Sequence, residues 1–558
     1  MVHPLQLMTP LIKQKKTIDF FNNGLLDDLS PLDNNGWSIS SVSSSKIQLR
    51  DGSGNSASAV GSFSSFPAHI YSGTITRSSG LQVSFNANLS IDSYYSVSGY
   101  ITNIALSKGN YGAEINGTYN LNGFVSNVTS LKLSYGTYSI ILKGIFTAGD
   151  TSVDGSLTGI EVYSGQKQAT ISDINVSLSD FSYADATVSY IESLLLNDDN
   201  ISGGESTNDI LYGYGGADLI NALGGADILY GGDSTDTLQG GAGNDIYIMN
   251  DTSEHTAAEI TDSAGVDEIR FSSTVEGQTF RLYGGDVGID KIIIGTGTSS
   301  TAVTTGTTNL NVMASYGVNA LTIIGNNGNN YLTGTLYNDN IQGGAGNDTL
   351  EGLGGTNTLV GGLGNDIYYV SSAYDVITES SNAGIDTVYS YSNTYTLSAN
   401  VENLTLQNIS SYTTTGIGNS TANTVTGNNY DNTLNGGAGN DTLIGGLGAD
   451  HFVFNTTLNA TTNVDTITDF VTGTDKIDLT KTALMANLVS SGSTLNSSDF
   501  LVSSLHSNTA SQHLLFNTTT NGLYYNADGS GTGAAILFAT LTGISHADHI
   551  HASDFVII

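Results

Sequence analysis

Several residue types are rare or missing in this 558-residue sequence, which contains no cysteine, 4 prolines and one tryptophan, Trp37. The absence of cysteine excludes a disulfide framework, thiolate zinc sites and cysteine catalysis. No stretch of about eighteen apolar residues occurs, so the sequence predicts no membrane-spanning helix. Residues 1–21 contain lysines but no apolar run of signal-peptide length. Taken alone, these absences predict a cytosolic protein.

Positive charge is also scarce, because 15 Lys and Arg residues face 51 Asp and Glu residues and leave a formal net charge of -36. A chain this acidic has no long-range attraction to nucleic acid or to anionic lipid. Its self-repulsion disfavours compact states until cations bind. Disorder is the alternative for such a composition, but 39% hydrophobic residues and 29 tyrosines oppose it. The composition therefore predicts a folded, cation-binding protein.

A nine-residue period dominates three segments of the chain. In the first segment, residues 203–248, acids recur at Asp209, Asp218, Asp227, Asp236 and Asp245. The period returns in the second segment at Asn330, Asp339, Asp348, Asn357 and Asp366, and in the third at Asn423, Asn432, Asp441 and Asp450. A period this strict indicates one small structural unit stacked on itself.

The unit GGAGNDIYI, at residues 240–248, shows what each repeat builds. Its glycines permit positive φ, so its first six residues form a tight turn whose carbonyl groups face inward. The last three residues form a short strand whose middle position is apolar in every repeat, as at Leu229 and Leu350. Two turns and two strands then make one coil, with the apolar side chains stacked between two parallel sheets.

Acids two repeats apart, such as Asp209 and Asp227, lie one above the other on the same side of this coil. Stacked carboxylates repel each other unless a cation lies between them. Carboxylate and carbonyl oxygens are hard ligands that suit the flexible coordination of Ca²⁺, whereas Mg²⁺ requires tighter geometry and retains its waters. The repeat therefore predicts stacked calcium sites, and a Gly/Asp turn repeat without metal is the alternative.

These nine-residue units resemble the RTX repeats of hemolysin-type calcium-binding proteins. The resemblance implies a parallel β-roll in which the GGxGxD turns of neighbouring coils hold several calcium ions. The implied metal ligands are Asp209, Asp218, Asp227, Asp236, Asp245, Asp339, Asp348, Asp366, Asp441 and Asp450, with the turn glycines Gly224, Gly231, Gly240, Gly241, Gly243, Gly343, Gly344, Gly346, Gly361, Gly362, Gly364, Gly436, Gly437 and Gly439. The best-formed pairs are Asp209/Asp227, Asp227/Asp245, Asp218/Asp236 and Asp348/Asp366. The pairs Asp339/Asn357, Asn423/Asp441 and Asn432/Asp450 are expected to be weaker or empty.

Calcium bound in this way makes folding depend on the compartment. One site stabilises the fold by RT ln(1 + [Ca²⁺]/Kd), which is near zero when calcium is far below Kd and about 2.7 kcal/mol at a hundredfold excess. Extracellular-type affinities of about 10⁻⁴–10⁻³ M leave such sites empty in a cytosol and filled outside the cell. The chain is therefore expected to stay unfolded until it is exported.

The C-terminal segment accounts for export without an N-terminal signal. It contains the segments 465–479 and 522–531 and ends in Asp554-Phe-Val-Ile-Ile558. This segment resembles the C-terminal domain that follows RTX repeats in type I secreted proteins, in which an uncleaved signal lies at the extreme C-terminus. The resemblance implies the type I secretion machinery as a partner and an extracellular or cell-surface location. In the NADGSG stretch at 526–531, an Asx/Gly turn is favoured over a further calcium site.

The same features divide the chain into segments of one all-β fold class, with parallel β-roll or β-solenoid blocks behind an N-terminal β-rich module. The module spans residues 1–200, RTX blocks span 201–250, 325–370 and 418–453, β-rich spacers span 251–324 and 371–417, and the C-terminal secretion domain spans 454–558. Period-two alternation within residues 1–200 predicts the strands of a β-sandwich or β-solenoid. A short helix is expected near residues 184–196.

Each RTX block ends with an aromatic residue at the strand position, namely Tyr247, Tyr368 and Phe452. An acidic exit sequence follows each block, at residues 259–267, 377–386 and 467–475. The aromatic residues are expected to cap each stack, because terminal repeats must cover exposed apolar edges. The exit acids could pair as in a glycosidase, but their recurrence after every block favours a structural role.

No catalytic motif identifies an activity. The absence of HExxH, GxSxG and GxxxxGK[ST] disfavours a serralysin-type protease, an α/β-hydrolase lipase and a phosphate loop. His546, His549 and His551 are interpreted as an exposed tail and not as a metal site.

The favoured function is a secreted, calcium-dependent structural, surface-layer or adhesive protein, for which no catalytic residue is assigned. Its candidate partners are cell-surface polysaccharide and other copies of itself; no nucleic acid and no membrane insertion are expected. The alternative is a secreted enzyme that acts on polysaccharide through residues 1–200. A pore-forming toxin is disfavoured, because no long apolar or amphipathic helical region is present.

Overall fold

The structure is a computed structural model that describes residues 38–177 strand by strand and residues 198–408, 414–481, 485–504, 512–529, 535–544 and 550–558. It contains two compact units, residues 1–249 with 253–267 and residues 250–252 with 268–558. The described residues form β-strands and three short 3-10 helices, at Thr252–Glu254, Ser497–Asp499 and Ala552–Asp554. The predicted all-β fold class is confirmed.

The first unit has longer strands before residue 178 and shorter strands after residue 199. The former are β1 (Ser38–Val42), β2 (Lys46–Arg50), β3 (Ser56–Ser62), β4 (Ala68–Thr76), β5 (Gln82–Ile91), β6 (Val97–Lys108), β7 (Tyr111–Asn120), β8 (Ser126–Tyr135), β9 (Tyr138–Ala148), β10 (Val153–Ser164) and β11 (Gln166–Ser177). The latter are β12 (Asn200–Ser202), β13 (Ile210–Gly215), β14 (Leu219–Asn221), β15 (Ile228–Asp233), β16 (Thr237–Gln239), β17 (Ile246–Met249) and β18 (Ile260–Thr261).

Strands β1 to β11 form an antiparallel meander in which each strand pairs with the next one along the chain. This order corrects the expectation of a β-sandwich or β-solenoid for residues 1–200, because the described strands lie in one sheet. The connections explain the difference: only residues 109–110 lie between β6 and β7, whereas parallel neighbours would need a crossover of about a dozen residues or more. Strand β11 pairs with β12, so the sheet continues into the shorter strands.

The shorter strands of the first unit form the predicted coils. Strands β12, β14, β16 and β18 pair in parallel in one sheet, and β13, β15 and β17 pair in parallel in another. The register places residues two repeats apart opposite each other, as with Ile210 and Ile228. The middle side chains are at most 4% exposed: Ile201, Leu211, Ile220, Leu229, Leu238, Tyr247 and Ile260. The repeated apolar position is therefore the core position.

The second unit contains the remaining strands, apart from the first residue of β19, Asp267, which belongs to the first unit. They are β19 (Asp267–Phe271), β20 (Thr279–Arg281), β21 (Ile289–Ile294), β22 (Asn311–Met313), β23 (Thr322–Ile324), β24 (Tyr331–Thr333), β25 (Asn340–Ala345), β26 (Thr349–Glu351), β27 (Thr358–Leu363), β28 (Ile367–Val370), β29 (Val376–Ile377), β30 (Thr387–Ser390), β31 (Thr394–Thr396), β32 (Asn403–Leu406), β33 (Thr414–Ile417), β34 (Thr424–Thr426), β35 (Asn432–Asn435), β36 (Thr442–Ile444), β37 (His451–Phe454), β38 (Asp465–Ile467), β39 (Lys476–Leu479), β40 (Ser490–Ser491), β41 (Thr494–Leu495), β42 (Phe500–Ser503), β43 (Leu514–Asn517), β44 (Gly522–Tyr525), β45 (Ile536–Leu541) and β46 (Phe555–Ile557).

Three parallel arrays of strands organise the second unit. The first runs through the even-numbered strands from β20 to β38, the second through β21, β23, β25, β27 and β29, and the third through β31, β33, β35, β37 and β39. Residues 279–324 and 371–417, predicted as parts of β-rich spacers, contribute strands to these arrays. These spacers are therefore coils with longer connections and not interruptions of the roll.

The C-terminal segment builds onto the same sheets. Strand β38 pairs in parallel with β45, and β39 pairs in parallel with β46. Strands β43, β44 and β45 are antiparallel. Phe538 of β45 is buried and meets the ring of Phe454 edge-on, with 5.2 Å between the ring centroids. Aromatic packing thus joins β45 to β37, the strand at which the third block ends.

Some sequence predictions concern residues outside the described part of the chain. The helix expected near residues 184–196, His546 and His549, and the last two residues of the NADGSG stretch all lie there. Within the described part, no helix is long and apolar enough to span a bilayer.

Candidate metal centres

The repeat aspartates occupy the same position in each nine-residue repeat, after the glycine turn and directly before a strand. Asp209 precedes β13, Asp227 precedes β15 and Asp245 precedes β17. Asp227 and Asp245 are 0% exposed, and the other repeat aspartates of the first block, Asp209, Asp218 and Asp236, are at most 6% exposed. Carboxylates buried to this degree require hydrogen bonds and a compensating charge.

One oxygen of each carboxylate fixes the preceding coil. The backbone N–H of Asp209 donates to Oδ1 of Asp227, and that of Asp227 donates to Oδ1 of Asp245, both at 2.7 Å. On the other side of the roll, the N–H of Asp218 donates to Oδ1 of Asp236 at 2.8 Å. These aspartates therefore stack into two series of linked residues, which we call carboxylate columns.

The second and third blocks contain the same kind of column. We call each repeat position within a column a level, and asparagine occupies some of these levels. The N–H of Asn330 donates to Oδ1 of Asp348 at 2.8 Å, and the N–H of Asp348 donates to Oδ1 of Asp366 at 2.7 Å. The other linked repeat residues are Asp339 with Asn357, Asn423 with Asp441, and Asn432 with Asp450. The structure thus brings together every pair that the sequence predicts.

The columns extend past the repeats to acids that the sequence analysis does not assign as ligands. The N–H of Asp245 donates to Oδ1 of Asp267 at 2.9 Å, and that of Asp366 donates to Oδ1 of Asp386 at 2.8 Å. Asp375, Asp465 and Asp475 continue other columns in the same way. Longer loops break the nine-residue period at most of these positions, so a period search misses the acids. For Asp267, Asp386 and Asp475, the GxD triplet of each exit sequence is the signal that identifies them.

The levels differ in whether the second carboxylate oxygen, Oδ2, accepts a hydrogen bond from the protein. In eight column residues, Oδ2 is buried and accepts no hydrogen bond from the described residues: Asp218, Asp227, Asp236, Asp245, Asp348, Asp366, Asp386 and Asp441. A buried anionic oxygen without a partner is strongly unfavourable. Ca²⁺ binds carboxylate oxygens of this kind directly. These residues therefore fit the calcium that the repeat pattern implies.

At other levels the protein itself satisfies the second oxygen. Oδ2 of Asp209 accepts the N–H of Gly204 at 2.7 Å and the hydroxyl of Thr207 at 3.0 Å. Oδ2 of Asp339 accepts the N–H of Thr335 at 2.6 Å and its hydroxyl at 3.0 Å. A cation gains less at these levels, because the carboxylate already has donors.

Asparagine completes a column without charge. Nδ2 of Asn330 donates to the carbonyl oxygen of Leu310 at 2.7 Å, and Nδ2 of Asn423 donates to that of Val401 at 2.9 Å. The amide oxygens accept N–H groups of their own turns, from Asn326 to Asn330 at 2.9 Å and from Asn419 to Asn423 at 2.7 Å, so each amide has hydrogen-bond partners for both its oxygen and its nitrogen. This geometry supports the expectation that the asparagine levels bind calcium weakly or not at all.

Burial raises the pKa of the column carboxyl groups. The pKa of Asp218, Asp227 and Asp236 is raised to about 7, chiefly because burial disfavours the charged form, while a backbone N–H opposes the shift and neighbouring carboxylates add to it. The same cause raises the pKa of Asp348 and Asp366 to about 7. Protons and cations therefore compete for these oxygens near neutral pH.

Gly243 shows why the turns require glycine. Its φ is +142°, and a Cβ at this position would overlap the carbonyl oxygen of Gly225 in the preceding coil. The other predicted glycines at the second and third glycine positions of a turn also have a positive φ, and a Cβ added to them would lie close to a backbone carbonyl oxygen. They are Gly241, Gly344, Gly346, Gly362, Gly364, Gly437 and Gly439. The first turn glycines instead lie against Oδ2 of the aspartate in their own turn: Gly231, Gly240, Gly343, Gly361 and Gly436. Gly224 forms a bridge with Ala242, while its neighbour Gly225, which the sequence analysis does not name, has a φ of +139°.

The aromatic residue at the end of a block positions the exit acid. The hydroxyl of Tyr247 accepts the N–H of Gly240 at 2.9 Å and donates to Oδ2 of Asp262 at 2.5 Å. One oxygen each from Asp245, Asp262 and Asp267 lie within 4.8 Å of one another. These hydrogen bonds support the predicted structural role of the exit acids.

His451 and His513 pair with acids that are not column residues. Nδ1 of His451 lies 2.9 Å from Asp478, and Nδ1 of His513 lies 2.6 Å from Asp499. The side chain of His551 is 70% exposed. The residues around it are folded, however, since Ile550 and Phe555 are buried and β46 pairs with β39. His551 is therefore an exposed side chain on a packed segment, and the expectation of an exposed tail is wrong for this residue.

The fold and the columns together define a parallel β-roll protein with stacked carboxylate sites. Two protein-family models match parts of the chain. Residues 197–229, 212–247 and 333–368 match the RTX calcium-binding nonapeptide repeat, and residues 394–557 match the peptidase M10 serralysin C-terminal domain. The chain therefore carries RTX repeats, whose ion is calcium, and a C-terminal domain associated with type I secretion. It is a type I secreted, extracellular protein, as the sequence predicts.

A search of curated proteins finds no match. Among solved structures, the chain is similar to the extracellular lipase LipA from Serratia marcescens, with 15% identity, a TM-score of 0.15, and coverage of 53% of this chain and 45% of the lipase. The chain thus spans less than half of the lipase, and a likeness this low carries no argument about activity.

Proposed function

We propose that calcium bound in the carboxylate columns allows this secreted protein to fold. The observation that carries the proposal is the set of buried Oδ2 atoms without a hydrogen bond from the described residues, as in Asp227, Asp236 and Asp348. Without a cation, these carboxylates are desolvated and repel one another, which disfavours the coils. Calcium supplies the missing partner, so its binding free energy becomes folding free energy. The net charge of -36 strengthens this dependence through overall self-repulsion.

The proposed ligands are the repeat aspartates and the glycine turns beside them. The aspartates are ranked in expected calcium affinity by whether their Oδ2 already has a hydrogen-bond donor. Those with an Oδ2 that lacks a donor are proposed to bind most strongly: Asp218, Asp227, Asp236, Asp245, Asp348, Asp366 and Asp441. Asp209 and Asp339 are proposed to contribute less, because their own turns already supply donors. The first block then holds the strongest stack, since it contains no asparagine level.

A calcium titration of the full-length, calcium-free chain tests this dependence. Far-UV circular dichroism should show β-structure appearing at about 10⁻⁴–10⁻³ M calcium. Magnesium at the same concentrations is the control, and it should produce less β-structure because it requires tighter geometry. An unchanged spectrum over this range of calcium would refute the proposal.

We further propose that the folded protein has a structural or adhesive role at the cell surface or in the extracellular matrix. Half-exposed tyrosines stack along outer faces of the roll: the ring centroids of Tyr212 and Tyr230 are 4.4 Å apart, and those of Tyr369 and Tyr389 are 5.3 Å apart. Aromatic faces of this kind pack on sugar rings or on another protein surface. Cell-surface polysaccharide and a second copy of the chain are therefore the proposed partners.

Fractionation of a secreting culture tests the proposed role. Protein that stays with the cells in calcium and is released by a chelator supports a surface role, and Tyr369→Ser should reduce this retention. Tyr374→Ser is the matched control, because Tyr374 is 78% exposed and lies in the same unit. Protein that is wholly free in the medium and cleaves polysaccharide would favour the alternative, an enzyme that acts through residues 1–200.

A further inference from the structure

The second block ends in three buried carboxylates that the nine-residue repeat does not account for. Asp366, Glu379 and Asp386 are 1%, 7% and 0% exposed, and one oxygen from each lies within 4.8 Å of the others. Asp366 Oδ2, Glu379 Oε2 and Asp386 Oδ2 are buried and accept no hydrogen bond from the described residues. Three converging carboxylates in this state require a cation.

The surrounding hydrogen bonds position each carboxylate while leaving one oxygen open. The hydroxyl of Tyr368 accepts the N–H of Gly361 at 2.8 Å and donates to Oε1 of Glu379. The N–H of Asp366 donates to Oδ1 of Asp386 at 2.8 Å. Gly361 packs against the group, since a Cβ there would overlap Asp366 Oδ2, the Tyr368 hydroxyl and Glu379 Oε1. Hydrogen bonds of the protein itself therefore orient these carboxylates in the fold.

The end of the third block provides an internal comparison. Phe452 replaces the tyrosine there and has no hydroxyl, so the N–H groups of Gly445 and Gly446 donate directly to Oδ1 and Oδ2 of Asp469, both at 2.8 Å. Asp475 also uses both oxygens, accepting backbone N–H groups at 3.0 and 2.7 Å. In the second block, the hydroxyl of Tyr368 accepts the backbone N–H of Gly361 in place of the exit acid. The exit acid thereby keeps an oxygen for another partner.

We propose that Asp366, Glu379 and Asp386 form a further Ca²⁺ site at the end of the second block, and that Tyr368 keeps it open by holding Glu379. The site rests on the proposed calcium dependence but uses two acids that lie outside the nine-residue repeats. Three carboxylates place more negative charge around the ion than a repeat level does, and ligand charge is one determinant of calcium affinity. The site fills before the repeat levels as calcium rises.

Metal analysis of the full-length chain tests this site. Calcium bound per chain is measured by equilibrium dialysis over rising free calcium, and Glu379→Gln should lose one ion, the one bound at the lowest free calcium. Glu351→Gln is the matched control, because it removes the same charge from the same block while Glu351 accepts the Tyr331 hydroxyl away from the site. Equal ion numbers and equal midpoints for the two variants would overturn the inference. A wild-type chain that binds no calcium would instead overturn the proposed function.

Terbium luminescence gives a second test that does not depend on the stability of Glu379→Gln. Tyrosine transfers excitation energy to a nearby Tb³⁺ ion, and Tyr368 contacts a ligand of the proposed site. In a Tyr247→Phe background, which removes the equivalent tyrosine of the first block, emission at the lowest terbium concentrations should come from this site. The additional change Tyr368→Phe should abolish that emission, and an unchanged signal would contradict the assignment.

Discussion

At the scale of single residues, the two oxygens of a column carboxylate have different roles. Oδ1 of Asp227 holds the preceding coil through a 2.7 Å bond from the N–H of Asp209, whereas Oδ2 has no donor among the described residues. An asparagine side chain can also accept the backbone N–H of the preceding coil, but it has no negative charge with which to bind a cation. Substitutions at different levels of one column should therefore affect calcium binding unequally.

Asp227→Asn should raise the calcium concentration at the midpoint of folding by about tenfold, equivalent to about 1.4 kcal/mol. The matched control is Asp209→Asn in the same column. It should shift the midpoint by less, because Gly204 and Thr207 already donate to that carboxylate. Calcium titrations followed by circular dichroism measure both midpoints. Equal shifts would show that the second oxygen does not distinguish these levels.

Gly243→Ala should destabilise the calcium-saturated protein by more than the about 1–3 kcal/mol expected for a strained backbone alone. The additional cost arises because a Cβ would overlap the Gly225 carbonyl oxygen. Gly277→Ala is the control, since Gly277 also has a positive φ of +76° but a Cβ added there would meet no atom within 4 Å. Guanidinium unfolding in saturating calcium compares the two. A smaller loss for Gly243→Ala would show that the turns tolerate side chains.

The sequence predicts the position of every repeat aspartate but not the state of its second oxygen. Asp209 and Asp227 are equivalent in the nine-residue period, yet Thr207 donates to Asp209 and no described residue donates to Oδ2 of Asp227. Short contacts of this kind depend on side chains within the loop, which a period does not encode. The period does not identify the exit residues Glu379 and Asp386, which are proposed as ligands, because longer loops shift them out of it.

At the scale of elements, the core of the roll is a stack of single side chains, one from each short strand. Leu350 is the middle residue of β26 and pairs with Leu332 in β24 and Tyr368 in β28. All three are 0% exposed. A strand of three residues has few other contacts with the core, so each coil depends strongly on this side chain.

Leu350→Ala should reduce the free energy of unfolding by about 2–5 kcal/mol, as is usual for truncating a fully buried leucine. Leu336→Ala is the control in the same unit, because Leu336 is 69% exposed. Its effect should stay within about 0.5 kcal/mol. Denaturant unfolding of the calcium-bound protein measures both. Similar values for the two variants would mean that the stacked position is not the core of the coil.

The regular elements follow from the sequence more closely than the connections do. The apolar middle positions at Leu229 and Leu350 identify the parallel strands because each coil repeats the same spacing. Strands β1 to β11 have no fixed period, so their alternation predicts strands but not the strand order. The segment 371–417 looks like a spacer by period alone, yet β30 and β32 continue the parallel array. Parallel pairing tolerates the longer loops that hide this continuity from the sequence.

At the scale of the whole molecule, calcium and protons compensate the same buried charge. Burial raises the pKa of Asp218, Asp227 and Asp236 from the ordinary value of 3.8 to about 7. In the calcium-free chain, protonation therefore favours the folded state. That contribution is fully present below the unfolded-state pKa and is lost as pH rises through the folded-state pKa.

The calcium-free protein should accordingly gain β-structure as pH falls from about 8 to about 5.5, through the range in which the raised carboxyl groups titrate. The calcium midpoint of folding should move to higher calcium as pH rises through this range, because protons no longer stabilise the fold and calcium alone must compensate the buried charge. Circular dichroism at fixed ionic strength measures both trends. A calcium midpoint that does not change with pH would show that the buried carboxyl groups remain ionised without the metal.

The hydrogen bonds of the columns all point from one coil to the carboxylate of a following coil, as from Asp209 to Asp227, Asp227 to Asp245, and Asp245 to Asp267. The roll therefore has a polarity. A coil added on the N-terminal side meets acceptors that are already in place, whereas a coil added on the C-terminal side must itself provide the acceptor for the coil before it. A block that folds from its C-terminal end therefore uses each folded coil as a template for the coil before it. Loss of one carboxylate should disrupt the coils on its N-terminal side and leave the coils on its C-terminal side intact.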